Sequence, residues 1–509
     1  MTADAHNSRG VALLAERKFA DAATEFRAAL AIDANHVNAL NNLGNALTRL
    51  EQLDVAINAY RRAIALQPDL AEAHLNLAGA LKNMGQITAA LQAYRDATRI
   101  RPDARIASAL RYAMHLSDSV SPSELLAAHR AWNEQFAAPL RFERKPHEND
   151  RNPDRPVRVA YVSSDFTAHP VGRFMLPLLA HHDRENFQII CYSDATRHDA
   201  MTRMLQQAAR QWRESAQLND AELAAQIRKD RVDVLVDLTM HAAGSRLLTF
   251  ARKPAPVQVT YLAYCSTTGL ETMDYRLTDA RIDSAGDDAS YTEQSYRLPR
   301  TYWCYAPIVD TPVATRSRDH VAFGCLNNFA KVSPTALASW REILTRVPRS
   351  TLTLHTGSGS HRQRLLMFFA EQAIESSRIR FVDRVPLGEY FRAYDAIDIA
   401  LDPFPFNGGT TTCDALWCGV PVVSLSGETG VSRSGRSILG CVGLDELASG
   451  SVEQYVEIAC ALAADLPRLA GLRSTMRARL KASPLLDAAG FARDIEVAFR
   501  SMWRTWCEA

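Results

Sequence analysis

The first hundred residues of the chain contain a pattern that repeats every 34 residues. Small residues and one aromatic residue recur at matching places in three copies: Gly10, Gly44 and Ala78; Ala22, Ala56 and Ala90; Phe26, Tyr60 and Tyr94; Ala29, Ala63 and Ala97. Pro68 and Pro102 close the second and third copies, and Ala34 stands at that place in the first. Small residues let two helices approach closely, the aromatic ring fills the space beside them, and proline ends a helix. The pattern therefore predicts three stacked helical pairs over residues 1–102.

A helix-turn-helix unit of 34 residues with these small positions is the signature of the tetratricopeptide repeat. Solenoids of this kind commonly bind an extended peptide in their concave groove, so we expect a protein or peptide partner there. The alternative is a structural role, in which the repeats stabilise a dimer or cap the next domain. Asparagines on or near the first helices of copies two and three would hydrogen-bond a peptide backbone, unless they are simply solvated: Asn38, Asn41, Asn42, Asn45 and Asn76.

Residues 103–155 are predicted to be a helical transition and linker. The stretch from Leu110 to Leu140 is helical in pattern. Its apolar stripe consists of Leu125, Leu126, His129 and Trp132. The segment PHENDRNPDRP at 146–156 is polar and bounded by prolines, which is typical of a linker, so we expect a domain boundary near residue 155.

After this linker, strands alternate with helices, a pattern typical of βα units and parallel sheets. The predicted strands are 157–163, 187–193, 232–238, 257–264, 321–326, 351–356, 379–383, 397–402 and 420–425. The predicted helices are 171–182, 199–212, 219–229, 333–347, 360–376, 387–395, 411–418 and 488–506. These runs predict two doubly wound, Rossmann-like halves at 156–312 and 313–485, followed by a closing helix at 486–509. The expected architecture is an α-α solenoid followed by an α/β GT-B fold, with the site at the carboxyl ends of the strands.

The 509 residues carry 58 Lys and Arg against 57 Asp and Glu, a net charge of only +1. So small a charge gives no field that would attract nucleic acid or an anionic membrane. Nine cysteines without a Cys-x-x-Cys pair predict free thiols in a reducing compartment. The start of the chain lacks the pattern of a signal peptide, and no uncharged apolar stretch reaches the roughly 18 residues that span a bilayer. We therefore expect a cytoplasmic protein.

A glycine turn in FNGGTTTCDALWCGVP (406–421) follows one of the predicted strands. Gly408 and Gly409 allow a tight turn, and Thr410 to Thr412 then open a helix. Free amides and hydroxyls at a helix start suit a diphosphate, and Asp414 one turn later is placed to reach a ribose diol. The alternative is an ordinary glycine turn with threonine caps.

Lys331 lies in FGCLNNFAKVSP (323–334), between a predicted strand and a Ser-Pro helix start. A lysine is a compact cation suited to the charge that develops on a departing nucleotide diphosphate. Only seven lysines occur in the chain, which favours a functional role over a surface position.

Polar residues also follow two predicted strands of the first half. Asp165 and His169 lie in VSSDFTAHPVGRF (162–174), and His241 lies in VDLTMHAAGSR (236–246). Either histidine is suited to act as a base or to hydrogen-bond a sugar, and a structural role is the alternative for each.

Five segments resemble the O-GlcNAc transferase/SPINDLY family, in the same order along nearly the whole chain. They are VSSDFTAHP, KPAPVQVTYLAY followed by STTGLETMDYRLTD, FGCLNNFAKVSP, LDPFPFNGGTTTCDALWCGVP and SGETGVSRSG. That family joins tetratricopeptide repeats to a GT-B catalytic region, and this chain is similar to its bacterial members. The resemblance implies a glycosyltransferase that moves a sugar from a nucleotide sugar to protein Ser or Thr with inversion.

The resemblance also implies roles for single residues. Lys331 matches the lysine that contacts the nucleotide phosphates, and His169 matches a histidine near the acceptor whose part in proton transfer we leave open. With the glycine turn, the predicted nucleotide-sugar site comprises Asn327, Asn328, Tyr390, Gly408, Gly409, Thr410, Thr411, Thr412, Asp414 and Arg433. The predicted acceptor or sugar pocket comprises Asp165, His241 and Tyr264.

The chain departs from the family pattern at two places. Ala263, Tyr264 and Cys265 stand where members often read Gly-Tyr-Pro, and Gly409 replaces a histidine of the animal-type enzymes. The donor ranking by resemblance is UDP-GlcNAc first, GDP-fucose second and UDP-glucose third. Neither half contains an Asp-x-Asp motif, so we expect neither a metal nor another cofactor. The identity of the protein acceptor is left open, and flagellin or another surface protein is a candidate. A homodimer is possible in this reading of the sequence, and a non-catalytic peptide-binding scaffold is the alternative function.

Overall fold

The computed structural model describes residues 1–310, 313 and 320–509. These residues form two compact units, the first comprising Met1–Asp118 with Asp319–Ala393 and the second Ser119–Arg318 with Tyr394–Ala509. The predicted domain boundary after residue 312 lies outside the described residues. Among the described helices, none is both long enough and apolar enough to cross a membrane.

The predicted repeats are confirmed as three antiparallel helical pairs. Their helices are α1 (Ala3–Ala15), α2 (Phe19–Ile32), α3 (Val37–Arg49), α4 (Leu53–Leu66), α5 (Ala71–Asn83) and α6 (Ile87–Ile100). A Cβ atom on Gly10 would lie 2.5 Å from the Phe26 ring, and one on Gly44 would lie 2.4 Å from the Tyr60 ring. The small residues at these crossings are therefore required because the aromatic rings occupy the space beside them.

The predicted helical stretch from Leu110 to Leu140 is divided into more than one helix. Helix α7 (Ala104–Met114) ends before His115, and α8 (Pro122–Trp132) begins after Ser121. Ser121 and Glu124 form a capping box, which starts a new helix and explains the break. The predicted apolar stripe on α8 is confirmed at Leu125, His129 and Trp132, which are buried, while Leu126 is half-buried.

A seven-stranded parallel sheet forms the first Rossmann-like half, in the order β3-β2-β1-β4-β5-β6-β7. Its strands are β1 (Val157–Ser163), β2 (Phe187–Ser193), β3 (Gln211–Glu214), β4 (Val234–Asp237), β5 (Val257–Thr260), β6 (Tyr275–Asp279) and β7 (Gln294–Leu298). Its helices are α9 (Pro170–His181), α10 (Ala200–Ala208), α11 (Asp220–Lys229) and α12 (Leu247–Ala251). The four predicted strands are present, although β5 ends at Thr260 rather than at residue 264. Strands β3, β6 and β7 were not predicted from the sequence.

The second Rossmann-like half has six parallel strands. In the first unit β8 (Ala322–Cys325), β9 (Thr351–His355) and β10 (Ile379–Val382) pair in the order β10-β9-β8. In the second unit β11 (Ile399–Leu401), β12 (Val422–Leu425) and β13 (Ala448–Ser449) pair in the order β11-β12-β13. The first unit holds α13 (Pro334–Arg346), α14 (Ser360–Ala370) and α15 (Leu387–Ala393). The second holds α16 (Thr410–Trp417), α17 (Ser434–Cys441), α18 (Val452–Ala464), α19 (Leu466–Ala482) and α20 (Ala488–Glu508).

The last helix, α20, returns to the first sheet. Glu496 on α20 accepts a hydrogen bond from the backbone N–H of Asp183 and contacts His182 Nδ1 at 2.8 Å. The other ring nitrogen of His182 lies 2.9 Å from the hydroxyl of Tyr161 on β1. These buried polar groups connect the last helix to β1, the first strand of this sheet.

Candidate active site

Two buried polar residues, Asp402 and Asn407, hold the glycine turn before α16 in place. Asp402 accepts the backbone N–H of Gly408 at 2.8 Å and the hydroxyl of Ser424 at 2.7 Å. The amide of Asn407 donates to the carbonyls of Pro403 and Leu425. Both residues are 1% exposed. Because these hydrogen bonds join polar groups of the protein to one another, they fix the turn without a ligand.

Helix α16 begins directly at Thr410, and its N-cap residue, Gly409, has no side chain that could cap the helix. The hydroxyl of Thr412 is buried and has no hydrogen-bond partner among the residues that the structure describes. A Cβ atom on Gly409 would lie 3.0 Å from the Trp303 ring, so Trp303 fills the space that a side chain here would need. A helix start with a glycine N-cap and an unsatisfied hydroxyl is suited to bind an anion.

Asp414, the predicted ribose-binding acid, is buried in an ion pair. Arg173 on α9 donates to both carboxylate oxygens at 2.9 and 2.6 Å, and the hydroxyl of Tyr305 donates to one of them at 2.7 Å. A carboxylate has about four lone-pair sites, so these three bonds leave little capacity for a sugar. The ribose-binding role of Asp414 stays a prediction, and neither Arg173 nor Tyr305 was predicted as its partner.

His169 lies in the loop between β1 and α9 and is the N-cap residue of α9. Its Nδ1 accepts the backbone N–H of Val171 at 3.3 Å and lies 3.6 Å from the Asp165 carboxylate. The His169 side chain is 45% exposed, and its partial desolvation lowers the pKa of His169, against the attraction of Asp165. Desolvation raises the pKa of Asp165, against the attraction of His169. A neutral ring that accepts a bond at Nδ1 carries its proton on Nε2, which makes Nε2 a donor.

The other two residues of the predicted acceptor pocket are buried neighbours. The Tyr264 hydroxyl accepts the backbone N–H of His241 at 3.4 Å, and the Tyr264 ring lies 6.4 Å from Phe406, next to the glycine turn. His241 is 1% exposed, contacts the carbonyl of Thr268 through Nε2 at 2.8 Å, and packs edge-on against Trp132. The structure thus brings Tyr264 to the glycine turn, whereas the geometry of His241 fits the structural alternative.

Arg433 of the predicted nucleotide-sugar site is engaged with backbone. Its guanidinium donates to the carbonyls of Gly427, Glu428 and Ile282, and pairs with Asp287 at 2.9 Å. These bonds organise the loop 426–433. The structure therefore gives Arg433 a role in holding this loop in shape.

The first unit holds the four remaining predicted residues. A 3-10 turn spans Phe329–Lys331, and Asn328 caps it by accepting the backbone N–H of Ala330 at 3.1 Å. Asn327 is buried at the end of β8, while Lys331 ends the turn and is half-buried. Tyr390 lies on α15 with its ring edge-on to Phe391. The structure therefore groups Asn327, Asn328 and Lys331 in one short turn.

No cluster of three or more His, Cys, Asp or Glu side chains able to hold a metal ion occurs within residues 1–310 and 320–509.

Comparison with known proteins agrees with this architecture. The sequence profile of Glycosyl transferase family 41 matches residues 137–306 and 312–495. Three tetratricopeptide repeat profiles match residues 1–37, 44–85 and 71–104. The chain belongs to glycosyl transferase family 41 and carries tetratricopeptide repeats before its catalytic region.

Two curated relatives and one solved structure illustrate the likeness. A protein of Solanum lycopersicum, named probable UDP-N-acetylglucosamine–peptide N-acetylglucosaminyltransferase SPINDLY, is 37% identical over 78% of this chain and 44% of its own length. The corresponding SEC protein of Arabidopsis thaliana is 30% identical over 69% of this chain and 37% of its own length. A variant of the O-GlcNAc transferase of Thermobaculum terrenum superimposes with a TM-score of 0.94, at 34% identity, over 99% of this chain and 98% of that one. The chain spans less than half the length of the curated relatives named here.

Proposed function

We propose that this protein is an inverting O-glycosyltransferase that transfers N-acetylglucosamine from UDP-GlcNAc to Ser or Thr of a protein acceptor. The observation that carries the proposal is the start of α16, where a glycine N-cap and the buried, unsatisfied hydroxyl of Thr412 follow a turn that Asp402 holds in place. Such a site favours the diphosphate of a nucleotide sugar over a neutral ligand. The membership in glycosyl transferase family 41 supports the same reaction class.

Charge develops on the nucleotide diphosphate as the bond from the anomeric carbon to the phosphate oxygen breaks. Lys331 and the amides at Thr410 are the groups we assign to that charge, because preorganised donors stabilise it more in the transition state than in the ground state. The acceptor hydroxyl oxygen forms the new bond on the opposite face of the sugar, and its proton leaves to a base that we do not assign.

His169 is proposed to act near the acceptor as a hydrogen-bond donor. Its Nδ1 is already occupied by the N–H of Val171, so the neutral ring offers Nε2–H rather than a lone pair at Nε2. A donor at this place orients a sugar or acceptor oxygen without taking its proton. Tyr264, beside Phe406, is proposed to line the same pocket.

The donor assignment rests on the relatives. Both plant relatives carry names that specify UDP-N-acetylglucosamine, and the similar solved structure is titled an O-GlcNAc transferase. GDP-fucose and UDP-glucose are the competing donors, and the test below separates the three.

The repeats are proposed to bind the protein acceptor. Asparagines on successive first helices pair across the repeats, with Asn42 donating to Asn7 at 3.1 Å and Asn76 donating to Asn41 at 3.0 Å. Each amide keeps further donor and acceptor capacity, which suits the backbone of an extended peptide. Such recognition is independent of the peptide's side chains.

The test is incubation of the full chain with each of the three nucleotide sugars and a pool of Ser- and Thr-containing peptides. We expect the mass of N-acetylglucosamine to be added to peptides from UDP-GlcNAc, with UDP released. Addition of fucose or glucose instead would overturn the donor assignment and keep the reaction class. If the chain neither transfers nor hydrolyses any of the three nucleotide sugars, the result favours the non-catalytic scaffold.

A further inference from the structure

The turn after the first helix of each repeat has the same backbone conformation. Arg17, Glu51 and Gly85 are spaced by 34 residues and have φ angles of +62°, +61° and +71°. The backbone hydrogen bonds that close each turn are also the same, such as Gln52 N–H to the carbonyl of Leu47 and Gln86 N–H to that of Leu81. Since arginine and glutamate adopt this conformation in the first two copies, the conformation alone does not require glycine in the third.

Glycine in the third copy is explained by a neighbouring ring. A Cβ atom on Gly85 would lie 2.8 Å from Cε1 of Phe329, closer than side-chain carbons approach. Phe329 is 7% exposed, and its ring also packs against His361 at a centroid distance of 5.5 Å. The turn of the third repeat therefore forms one wall of the pocket that holds Phe329.

Phe329 opens the short turn that carries Lys331. The backbone N–H of Lys331 donates to the carbonyl of Asn328 at 2.9 Å, and that of Val332 donates to Phe329 at 3.0 Å. In so tight a turn, the position of the Phe329 ring constrains the direction in which the Lys331 side chain leaves the backbone.

The other side of this segment is anchored by Asp118, which follows α7. One oxygen of Asp118 accepts the hydroxyl of Thr335 at 2.6 Å and its backbone N–H at 3.4 Å. A further contact joins the second repeat to the start of α14, where Asp54 accepts the hydroxyl and the N–H of Ser360. The segment 329–335, with Lys331 inside it, is thus held at both ends by residues from the helical region.

We propose that the helical region is part of the donor site, and that Gly85 and Asp118 are positioning residues for Lys331. This inference rests on the proposed function, which assigns Lys331 to the diphosphate. A cationic side chain stabilises the charge of a transition state effectively only when the surrounding residues hold it within about 0.5 Å of its productive position. The third repeat supplies that constraint through Phe329, and Asp118 supplies it through Thr335.

The test is a double-mutant cycle on the full chain, read by hydrolysis of UDP-GlcNAc without any acceptor. Gly85→Ala pushes the Phe329 ring, and we expect kcat to fall about tenfold or more with a smaller change in KM, since small displacements of catalytic groups are costly. In a Phe329→Leu background the same substitution meets no ring, and its effect on kcat is expected to vanish. Asp118→Ala is expected to lower kcat in the same direction.

Arg17→Ala is the matched control, because it places the same side chain at the same left-handed position of the first repeat. We expect it to leave kcat unchanged. A second readout is independent of activity: amide hydrogen exchange across 329–335 is expected to rise in Gly85→Ala and to stay unchanged in Arg17→Ala.

The outcomes separate the two proposals. If the wild-type chain neither hydrolyses nor transfers any nucleotide sugar, the proposed function fails, and the positioning role for catalysis fails with it. If the wild-type chain is active but Gly85→Ala and Asp118→Ala keep its kcat and its exchange pattern, only the positioning role is overturned. The positioning role would also be overturned if Gly85→Ala lowered kcat by the same factor in the Phe329→Leu background as in the wild type.

Discussion

Arg173 and Asp414 form a bidentate ion pair in which each carboxylate oxygen accepts one guanidinium N–H, at 2.6 and 2.9 Å. Arg173 lies on α9 of the first Rossmann-like half and Asp414 on α16 of the second, so the pair joins the two halves within the second unit. Both side chains are nearly excluded from water, at 9% and 1% exposure. Charges so placed are stable only as a pair.

Removing one partner of this pair leaves a buried charge without compensation. We expect Arg173→Met to lower the free energy of unfolding by about 3–5 kcal/mol. The double variant Arg173→Met with Asp414→Leu is expected to recover most of that loss, because no unpaired charge remains. Thermal unfolding of the two variants and the wild type checks this. Equal loss in the single and double variants would show that packing, rather than charge, is the cause.

Lys331 is the residue on which the proposed chemistry depends most. We expect Lys331→Ala to lower kcat of sugar transfer by about 100-fold or more, the scale of losing one preorganised donor. Lys18→Ala is the matched control, because Lys18 is 57% exposed and pairs with Glu16 in the first repeat. Steady-state kinetics on both variants decide the point, and near-wild-type turnover of Lys331→Ala would remove this lysine from the site.

The reaction is expected to proceed without a divalent metal. Neither half contains an Asp-x-Asp motif, and Lys331 with the start of α16 is assigned the charge that a metal would otherwise neutralise. Transfer measured in excess EDTA should therefore match transfer in buffer. Complete loss of activity in EDTA that Mg²⁺ restores would refute this prediction.

The acid limb of activity is expected to report His169. Because partial desolvation lowers the pKa of His169 below 6.5, the folded protein holds the ring neutral at pH 7, and protonation sets in only as the pH falls below 6.5. Protonation turns Nδ1 from an acceptor into a donor and breaks its bond to the N–H of Val171. We expect kcat/KM to fall below pH 6.5 and this limb to disappear in His169→Gln. His198→Gln, at a histidine with a similarly exposed side chain outside the proposed site, should keep the limb. A limb above pH 6.5 would contradict the assignment.

The repeat architecture was predictable because each copy places the same small and aromatic residues at the same helix crossing. Buried apolar runs such as VRVAYVS likewise predicted the central strands. Strands β3 and β7 were missed because they lie at the edges of the sheet with half-exposed polar residues, and β6 because Arg276 and Thr278 make a buried strand look polar.

The candidate site was predictable only in part. The glycine turn, Lys331 and His169 stand in local motifs, whereas Arg173 meets Asp414 across 241 residues, and no spacing rule connects them. The same holds for Gly85 and Phe329, which belong to different parts of the chain. The structural role of Asp402 could have been predicted from the sequence, because an aspartate that ends a buried strand needs hydrogen-bond partners inside the protein.

The paired asparagines of the repeats lead to a prediction about the acceptor. If Asn41 and Asn76 bind the peptide backbone, replacing both with alanine removes about two hydrogen bonds, and each bond contributes about 0.5–1.5 kcal/mol. We therefore expect the KM for a peptide acceptor to rise roughly fivefold or more in Asn41→Ala/Asn76→Ala. Hydrolysis of UDP-GlcNAc without acceptor should not change. Asn35→Ala, in the turn before α3, is the control, and an equal rise in KM there would show that the paired asparagines are not the binding groups.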